Sequence, residues 1–535
     1  MTEIFKYESP KWFNLDTAKL LDIYDDETFQ QSSCFKNDNN IKYKIYKTNK
    51  NGNFEFEKNT SQETIYNKTY DELTKKYNKK IESEQNETKK KTLITKLQKK
   101  INEINTVTRV KQIPVNFNDK QKNIIQEWIL ECKKVYNYCI DKLDTDNKYF
   151  NKGYKAIKAN LLSEIYGNSD KPVPYDVVSD EIRIMTSNLK SCFTNLKNKN
   201  IKKFKLGKKK MKKGNYSLLI PSKSIQQNSI FKNILGKIEN FDINFDITHD
   251  SRLFYNNYEN TYILMIPCDV KCKIIKNRES ICSIDPGEKK FIEFVGEKSH
   301  GFIGKNMRKI LLKIRNRISK LQKILSKNKN KKGDKIKNKK QIKGKIKKMY
   351  KKIKNIVKEL HNQTADYLCK NYEKILIPKF ETQKMIRKKT FKDHKKEVIN
   401  KGKNHEERKK IAKEFTKKCR LSKKVKYVLN TLSHFSFRQH LLNKAQEYGC
   451  EVKVVTEEYT SMTCSKCGHL SSVYENRIKK CENCDKLIDR DLNGAINILH
   501  KNISVFKHKA IKPKATCVPK SVKTLKKCII NDIIV

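Results

Sequence analysis

The sequence predicts a multidomain α+β protein, and three observations carry the prediction. Strand-like alternation brackets a long helical stretch before residue 280, an apolar strand with a tight turn opens the second half, and four cysteines stand in two close pairs near residue 470. The chain has 535 residues, and its 119 Lys+Arg against 59 Asp+Glu give a formal net charge of +60. Charge on that scale repels itself unless a polyanion offsets it, and nucleic acid is the default partner. No apolar run reaches about 18 residues and no charged-then-apolar segment follows Met1, so no membrane partner is expected. Hydrophobic residues make up 37%, short of the usual 45–50% or so, which suits cores joined by polar arms. Sixteen cysteines, most of them scattered singly, read as the thiols of a reducing intracellular compartment: the nucleus in a eukaryotic host, the cytoplasm otherwise.

Residues 1–103, rich in Asn, Lys, Glu and Thr, read as a low-complexity extension of low order that ends in a helix near KKKTLITKLQKKINEI. A strand is predicted over 108–117 and a helix over 119–144, capped by Asn118, with Ile124, Ile125, Trp128, Ile129, Cys132, Val135 and Tyr136 on its apolar face. Helical pattern continues to about 205, and short alternating runs return from YSLLIPSK to about 275. ICSIDPGEKKFIEFVG then reads as two strands around a Pro-Gly turn. Apolar positions at Leu311, Ile314, Ile318, Leu321 and Leu325, and at Ile342, Ile346, Met349, Ile353, Ile356 and Leu360, predict a helical hairpin turning at 331–334. Between Lys305 and Lys354 there are 23 Lys+Arg and a single acid, Asp334, which favours phosphate contact over a merely solvated face. A buried strand over 373–380, a second basic stretch over 383–426, a helix over 431–449 stopped by Gly449, a strand over 451–461 and a basic tail over 503–535 complete the chain.

Cys464 and Cys467, then Cys481 and Cys484, form two Cys-x-x-Cys pairs separated by thirteen residues. Each pair can bring two thiolates to one ion, and two pairs complete the tetrahedral sulfur cage of a structural zinc with no position left for substrate. The candidate catalytic acids are Asp285 in SIDPG and Asp491 in DRDLNGAINIL. Taken alone, Asp285 could be a turn residue and Asp491 a helix N-cap. An aspartate ending an apolar strand is unfavourable without a partner, and two such acids flanking a zinc ribbon on a basic chain point to a two-metal phosphodiester site.

These motifs together resemble the C-terminal half of TnpB, the transposon-encoded RNA-guided nucleases, and in particular their eukaryotic and viral relatives, the Fanzor proteins. SIDPG, the helix ending in KAQEYG, VTEEYTSMTCSKCG, CENC and DRDLNGAINIL carry the resemblance, which spans about residues 105–500 and is firm from 281 onward. It implies a wedge-type β-barrel over 104–280 with a helical recognition lobe inserted at about 118–210. A RuvC-like, RNase H-like α/β nuclease domain follows over 281–502, containing the basic hairpin (303–360) and the zinc ribbon (462–487). It also implies a guide RNA of the omega type, target double-stranded DNA and a monomeric ribonucleoprotein associated with a mobile element. TnpB relatives carry their second acid at the end of the strand that here reads ILIPKF, where this chain has Pro378, which cannot bind metal. Fanzor proteins place it just before YTS, which implies Glu457, with Glu458 and then Glu381 as alternates. Asp285, Glu457 and Asp491 would then hold two Mg²⁺ ions, and the four cysteines one Zn²⁺. A catalytically silent zinc-ribbon nucleic-acid-binding protein and a DDE-type transposase are the alternative readings.

Overall fold

A computed structural model describes residues 27–30, 41–48, 62–104, 106–145, 154–166, 173–211, 214–257, 259–273, 275, 277–327, 339–387, 404, 406–411, 421–471 and 477–503. The chain divides into two compact units, one of Thr106–Lys271 and one of Met1–Asn105 with Cys272–Val535. Strands β1 (Glu27–Gln30) and β2 (Tyr43–Thr48) and helix α1 (Gln62–Glu82) add to the low-order reading of 1–103, and α2 (Glu87–Ile104) is the helix expected at its end. Both strands extend a sheet by main-chain hydrogen bonds, a mode of pairing that needs no apolar pattern and so leaves little trace in composition.

In the Thr106–Lys271 unit, β3 (Thr106–Val115) leads into α3 (Asp119–Thr145), α4 (Tyr154–Tyr166) and α5 (Tyr175–Lys197). Asn118 caps α3 as expected: its Oδ1 accepts from Gln121 N at 2.9 Å, and Gln121 Oε1 accepts from Asn118 N at 3.0 Å, a reciprocal capping box. The apolar stripe of α3 is buried, with Ile125 and Cys132 wholly enclosed. Strands β4 (Tyr216–Ile220), β5 (Ile225–Gln226), β6 (Ser229–Ile230), β7 (Ser251–Asn256) and β8 (Thr261–Lys271) follow. The order β3-β8-β7-β4 is an antiparallel sheet. Among the described residues no pairing joins β3 to β4.

The other unit is built on β9 (Glu279–Pro286), β10 (Ile292–Gly296), β11 (Ser299–Ile303), α6 (Met307–Lys327), α7 (Lys339–Asn371), β12 (Tyr372–Pro378), α8 (Lys423–Leu432), α9 (His434–Tyr448) and β13 (Glu451–Val455). The ribbon strands β14 (Ile478–Lys480) and β15 (Leu487–Asp489) and then α10 (Arg490–Asn502) complete it. Its seven-stranded sheet has the order β1-β2-β11-β10-β9-β12-β13; β9 is antiparallel to β10 but parallel to β12, and β12 is parallel to β13. Alternation along the strands divides the side chains between the two faces. Cys282, Ile284, Ile292, Phe294, Ile375 and Ile377 face the core shared with α6 to α9, while Ile281, Val295, Leu376 and Val455 face the core shared with α10.

The helical hairpin forms as predicted, with Leu311, Ile314 and Ile318 of α6 and Ile353, Val357 and Leu360 of α7 buried. Lys313, Arg317, Lys320 and Lys323 are exposed on α6, as are Lys343, Lys345, Lys348 and Lys352 on α7. Its turn at 331–334, most of the basic stretch 383–426 and the tail beyond 503 lie outside the described residues. Two boundaries differ from expectation. The helix expected over 431–449 is broken at Ser433, whose φ of 49° is left-handed, although Gly449 ends α9 at φ 61° as anticipated. The strand expected over 451–461 stops at Val455 because its continuation turns toward α10 and loses its sheet partner.

Candidate metal centres

Asp285 stands one residue from the end of β9, the strand at which the sheet changes from antiparallel to parallel neighbours. In open α/β sheets, ligands bind in crevices outside the carboxyl ends of the strands, and Asp285 stands at such an end. The side chain of Asp285 lies on the face covered by α10, and a Cβ on Gly494 would come within 2.5 Å of its Oδ2, so glycine lets the helix close over the carboxylate. Asp491 lies in the first turn of α10. The N-cap is Asp489, whose Oδ1 accepts from Asp491 N at 2.9 Å, so capping does not engage the Asp491 carboxylate. Arg477 Nη2 approaches Asp491 at 3.5 Å and Arg490 Nη2 at 3.7 Å.

Glu457 follows the end of β13, half-buried. Glu458 is exposed and paired with Lys501 at 2.9 Å, and Glu381 is tied to Lys379 at 3.2 Å and to Lys384. Pro378, paired in register with Val455, is on the same face of the sheet as Leu376 and Asp285. The strand position nearest the carboxylates is therefore occupied by a residue with no ligating atom.

Burial raises the Asp285 carboxyl well above the ordinary aspartate range, and the charges of Asp491, Glu457 and Glu293 raise it further. Burial likewise raises Asp491, with Asp489 adding to it, and raises Glu457, with Glu458 and Glu381 adding to it. Carboxylates pushed up by burial, and further by neighbouring acids, are stabilised by a cation.

Sequence reasoning missed a fourth acid here. Glu293 pairs directly opposite Asp285 across β9 and β10, is 4% exposed, and forms an ion pair with Lys290, itself 5% exposed. The Lys290 ammonium also lies 3.4 Å from Asp489 Oδ2, and Arg477 Nε donates to the same oxygen at 3.0 Å. The signal was present in FIEFVG, a charged residue in a strand that is otherwise apolar and wholly buried.

The four cysteines come together. Cys464 Sγ lies 3.8 Å from Cys484 Sγ and Cys467 Sγ 3.6 Å from Cys481 Sγ, and all four sulfurs lie within 4.8 Å of one another. A tetrahedron with metal–sulfur bonds of about 2.3 Å has edges of about 3.8 Å, so this donor set could hold a metal ion. Two equivalent turns shape it. Cys464 N donates to His469 O and Gly468 N to Cys464 O, both at 2.9 Å; Cys481 N donates to Lys486 O at 2.9 Å and Asp485 N to Cys481 O at 3.0 Å. Gly468 at φ 75° and Asp485 at φ 54° fill the same left-handed position in the two turns. Among the described residues, no other group of three or more metal-ligating side chains is drawn so close, and the carboxylates are more widely spread.

A family model described as the Cas12f1-like TNB domain matches residues 434–498, which include α9 and all four cysteines. Over 398 residues the chain is 24% identical to a TnpB-like protein of Acanthamoeba polyphaga mimivirus, covering 71% of this chain and 70% of that one. A putative transposase of Paramecium bursaria Chlorella virus 1 is 25% identical over 418 residues, 74% of this chain and 88% of that one. Over 72 residues, 12% of this chain and 14% of the other, identity to the CRISPR-associated endodeoxyribonuclease Cas12f1 of an uncultured archaeon is 39%. These similarities support the TnpB/Cas12 family.

Proposed function

We propose, from this relationship to the TnpB/Cas12 family, that the chain is an RNA-guided DNA endonuclease with one RuvC-type active site, of the Fanzor kind. The observation that carries the reading is that burial and acidic neighbours raise the carboxyls of Asp285, Glu457 and Asp491, with Asp491 and Glu457 among the charges that raise Asp285. A TnpB-like relative and Cas12f1, an endodeoxyribonuclease by name, support the same class.

The three acids would hold two Mg²⁺ ions, which when bound supply an activated water and stabilise the leaving oxygen of the phosphodiester. The chain's own part is positional. Asp285 is fixed between β9 and α10, Asp491 is set by the Asp489 cap, and Glu457 stands in for the acid that Pro378 displaced. Lys290, held by Glu293 and Asp489, sets a fixed positive charge beside the cluster. The four cysteines would hold one structural Zn²⁺, and the exposed lysines of α6 and α7 would contact guide RNA and target DNA phosphates without reading bases.

The test is to purify the protein with its copurifying RNA, sequence that RNA, and assay cleavage of matching double-stranded DNA with and without Mg²⁺. Metal-dependent cuts directed by the RNA are expected. RNA-bound protein that leaves matching DNA intact would support a silent binding protein instead. A second reading draws on the putative transposase among the relatives; joining of a labelled donor end to target DNA would favour that DDE-type alternative.

A further inference from the structure

Helix α10 turns a buried face that carries Asn493 and Asn497, four residues apart, toward the segment Thr456–Ser465, and Asn502 reaches the start of that segment from the helix's last turn. Asn493, Asn497 and Asn502 are 1%, 0% and 6% exposed, among apolar residues such as Ala495, Ile496 and Leu499. Leucine at these positions would serve packing alone. Instead the carboxamides grip backbone carbonyls one after another along the segment. Asn493 Nδ2 donates to Thr463 O at 2.8 Å and to Thr460 O at 3.4 Å; Asn497 Nδ2 donates to Thr460 O and Thr463 O, both at 2.8 Å; Asn502 Nδ2 donates to Thr456 O at 3.1 Å. Asn493 also reaches into the first cysteine turn, where its Oδ1 accepts from Ser465 N at 2.9 Å.

The gripped segment has left the seven-stranded sheet at Val455, and among the described residues its strand-like pairing is the single bridge between Thr463 and Leu470. Glu457 lies inside it. The Thr460 hydroxyl donates to Glu457 O at 2.9 Å, and Thr460 O is in turn held by Asn497. The same helix carries Asp491 in its first turn and Gly494 against Asp285. One row of side chains therefore joins the cysteine turn, the Glu457 segment and the helix of Asp491.

We propose that Asn493, Asn497 and Asn502 are positioning residues that set the spacing of Glu457 relative to Asp285 and Asp491, and that through Asn493 they couple occupancy of the four-cysteine site to the carboxylate site. The inference rests on the nuclease reading for its purpose, but its test reads metal binding as well as cleavage. Carboxylates fixed at the right spacing bind a divalent cation with less loss of freedom than carboxylates on a loose segment.

The experiment titrates Mn²⁺ into full-length ribonucleoprotein, reading bound ion by electron paramagnetic resonance, with Asp285→Ala defining the site-specific signal. It is repeated on Asn497→Leu and Asn502→Ala, with zinc content, RNA content and DNA affinity measured alongside. Asn497→Leu should keep one zinc and its nucleic acids yet bind Mn²⁺ at least about tenfold more weakly, and need correspondingly more Mg²⁺ for half-maximal cleavage. Asn502→Ala, remote from the cysteines, should show a smaller shift of the same sign, which keeps the test decisive if Asn497→Leu loses zinc. Unchanged Mn²⁺ affinity in Asn502→Ala and in zinc-bound Asn497→Leu would overturn the proposal and leave the asparagines as packing. A wild-type protein that binds Mn²⁺ at Asp285 but cuts no DNA would overturn the nuclease reading alone, since the affinity comparison still stands.

Discussion

Glu457 and Asp491 bracket the four cysteines in the chain, yet the two candidate metal centres are built on opposite principles. The cysteine site takes its four donors from two local turns of the same design, and its sulfurs already stand at the spacing of one tetrahedral ion. The carboxylate site takes its acids from β9, from the end of β13 and from α10, and holds them in mutual repulsion. A site made of local turns can be closed and structural. One assembled from the ends of distant elements keeps an open side, which a reacting phosphodiester needs.

The largest effect expected from breaking this contrast is on catalysis. Asp285→Ala, Glu457→Ala and Asp491→Ala should each lower Mg²⁺-dependent cleavage by at least about a hundredfold, the scale of losing one electrostatic contact to a transition state, while DNA and RNA affinity change little. Glu458→Ala and Glu381→Ala should stay near wild type, because their carboxylates are engaged by lysines. Cleavage abolished in either of those, with Glu457→Ala active, would move the third ligand.

Stability should respond in opposite senses at the two sites. Cys481→Ser leaves a mismatched cage and should release the ion and lower the melting temperature, since metal binding contributes folding free energy. Asp285→Asn should raise the melting temperature of Mg²⁺-free protein at neutral pH. The sign follows from the raised carboxyl: that group favours the folded state fully only below its unfolded pKa, and the contribution is lost as pH rises through the higher folded value. The gain from Asp285→Asn should therefore vanish on acidification, and calorimetry at two pH values checks both halves.

His361 and His434 both stack on Phe291, at ring distances of 5.4 and 5.0 Å, and His434 also bonds Gly287 O, two residues beyond Asp285. Burial holds His361 down to about 4 and His434 to about 3, and also holds His300 to about 4. These histidines stabilise the fold fully above the unfolded value near 6.5, and that stability is lost as pH falls from there toward 4. Each contributes up to about 1.4 kcal/mol per pH unit to the slope, and His434→Gln, which retains a donor for Gly287 O, should flatten it. Charge reversal of Lys343, Lys345 and Lys348 should weaken DNA binding alike for all sequences and reduce the log–log salt slope by about 0.9 for each phosphate no longer neutralised. The smallest effect lies within the cysteine site. Asp485→Gly should relieve the left-handed backbone that Gly468 already occupies freely in the first turn, for a gain of about 1 kcal/mol or less in thermal unfolding.

The same contrast decides what could be read from the sequence. Cys-x-x-Cys spacing is local chemistry, so the cysteine site was legible to the residue, as was the buried stripe of α3 from Ile125 to Tyr136. Asp285 and Asp491 stand out in the sequence because an acid ending an apolar strand and an acid opening an apolar helix are local patterns. Glu293 was not, since its importance comes from cross-strand register with Asp285, and register is a property of the sheet. The addition of β1 and β2 escaped although IKYKI, from Ile41 to Ile45, alternates apolar and polar residues: so short a run inside a Lys- and Asn-rich stretch shows its role only when β2 pairs with β11. The asparagine row in DLNGAIN was visible as spacing four residues apart, but its carbonyl partners belong to a segment that only the folded chain brings near.

Gly494 closes off an ordinary route to a sturdier protein. Replacing a mid-helix glycine with alanine commonly gains about 1 kcal/mol, and α10 would look like a natural place to apply it. Here the added methyl would come 2.5 Å from the Asp285 oxygen and wedge the helix off the strand. Anyone hardening this chain against heat must leave that turn of helix weak and look for stability elsewhere.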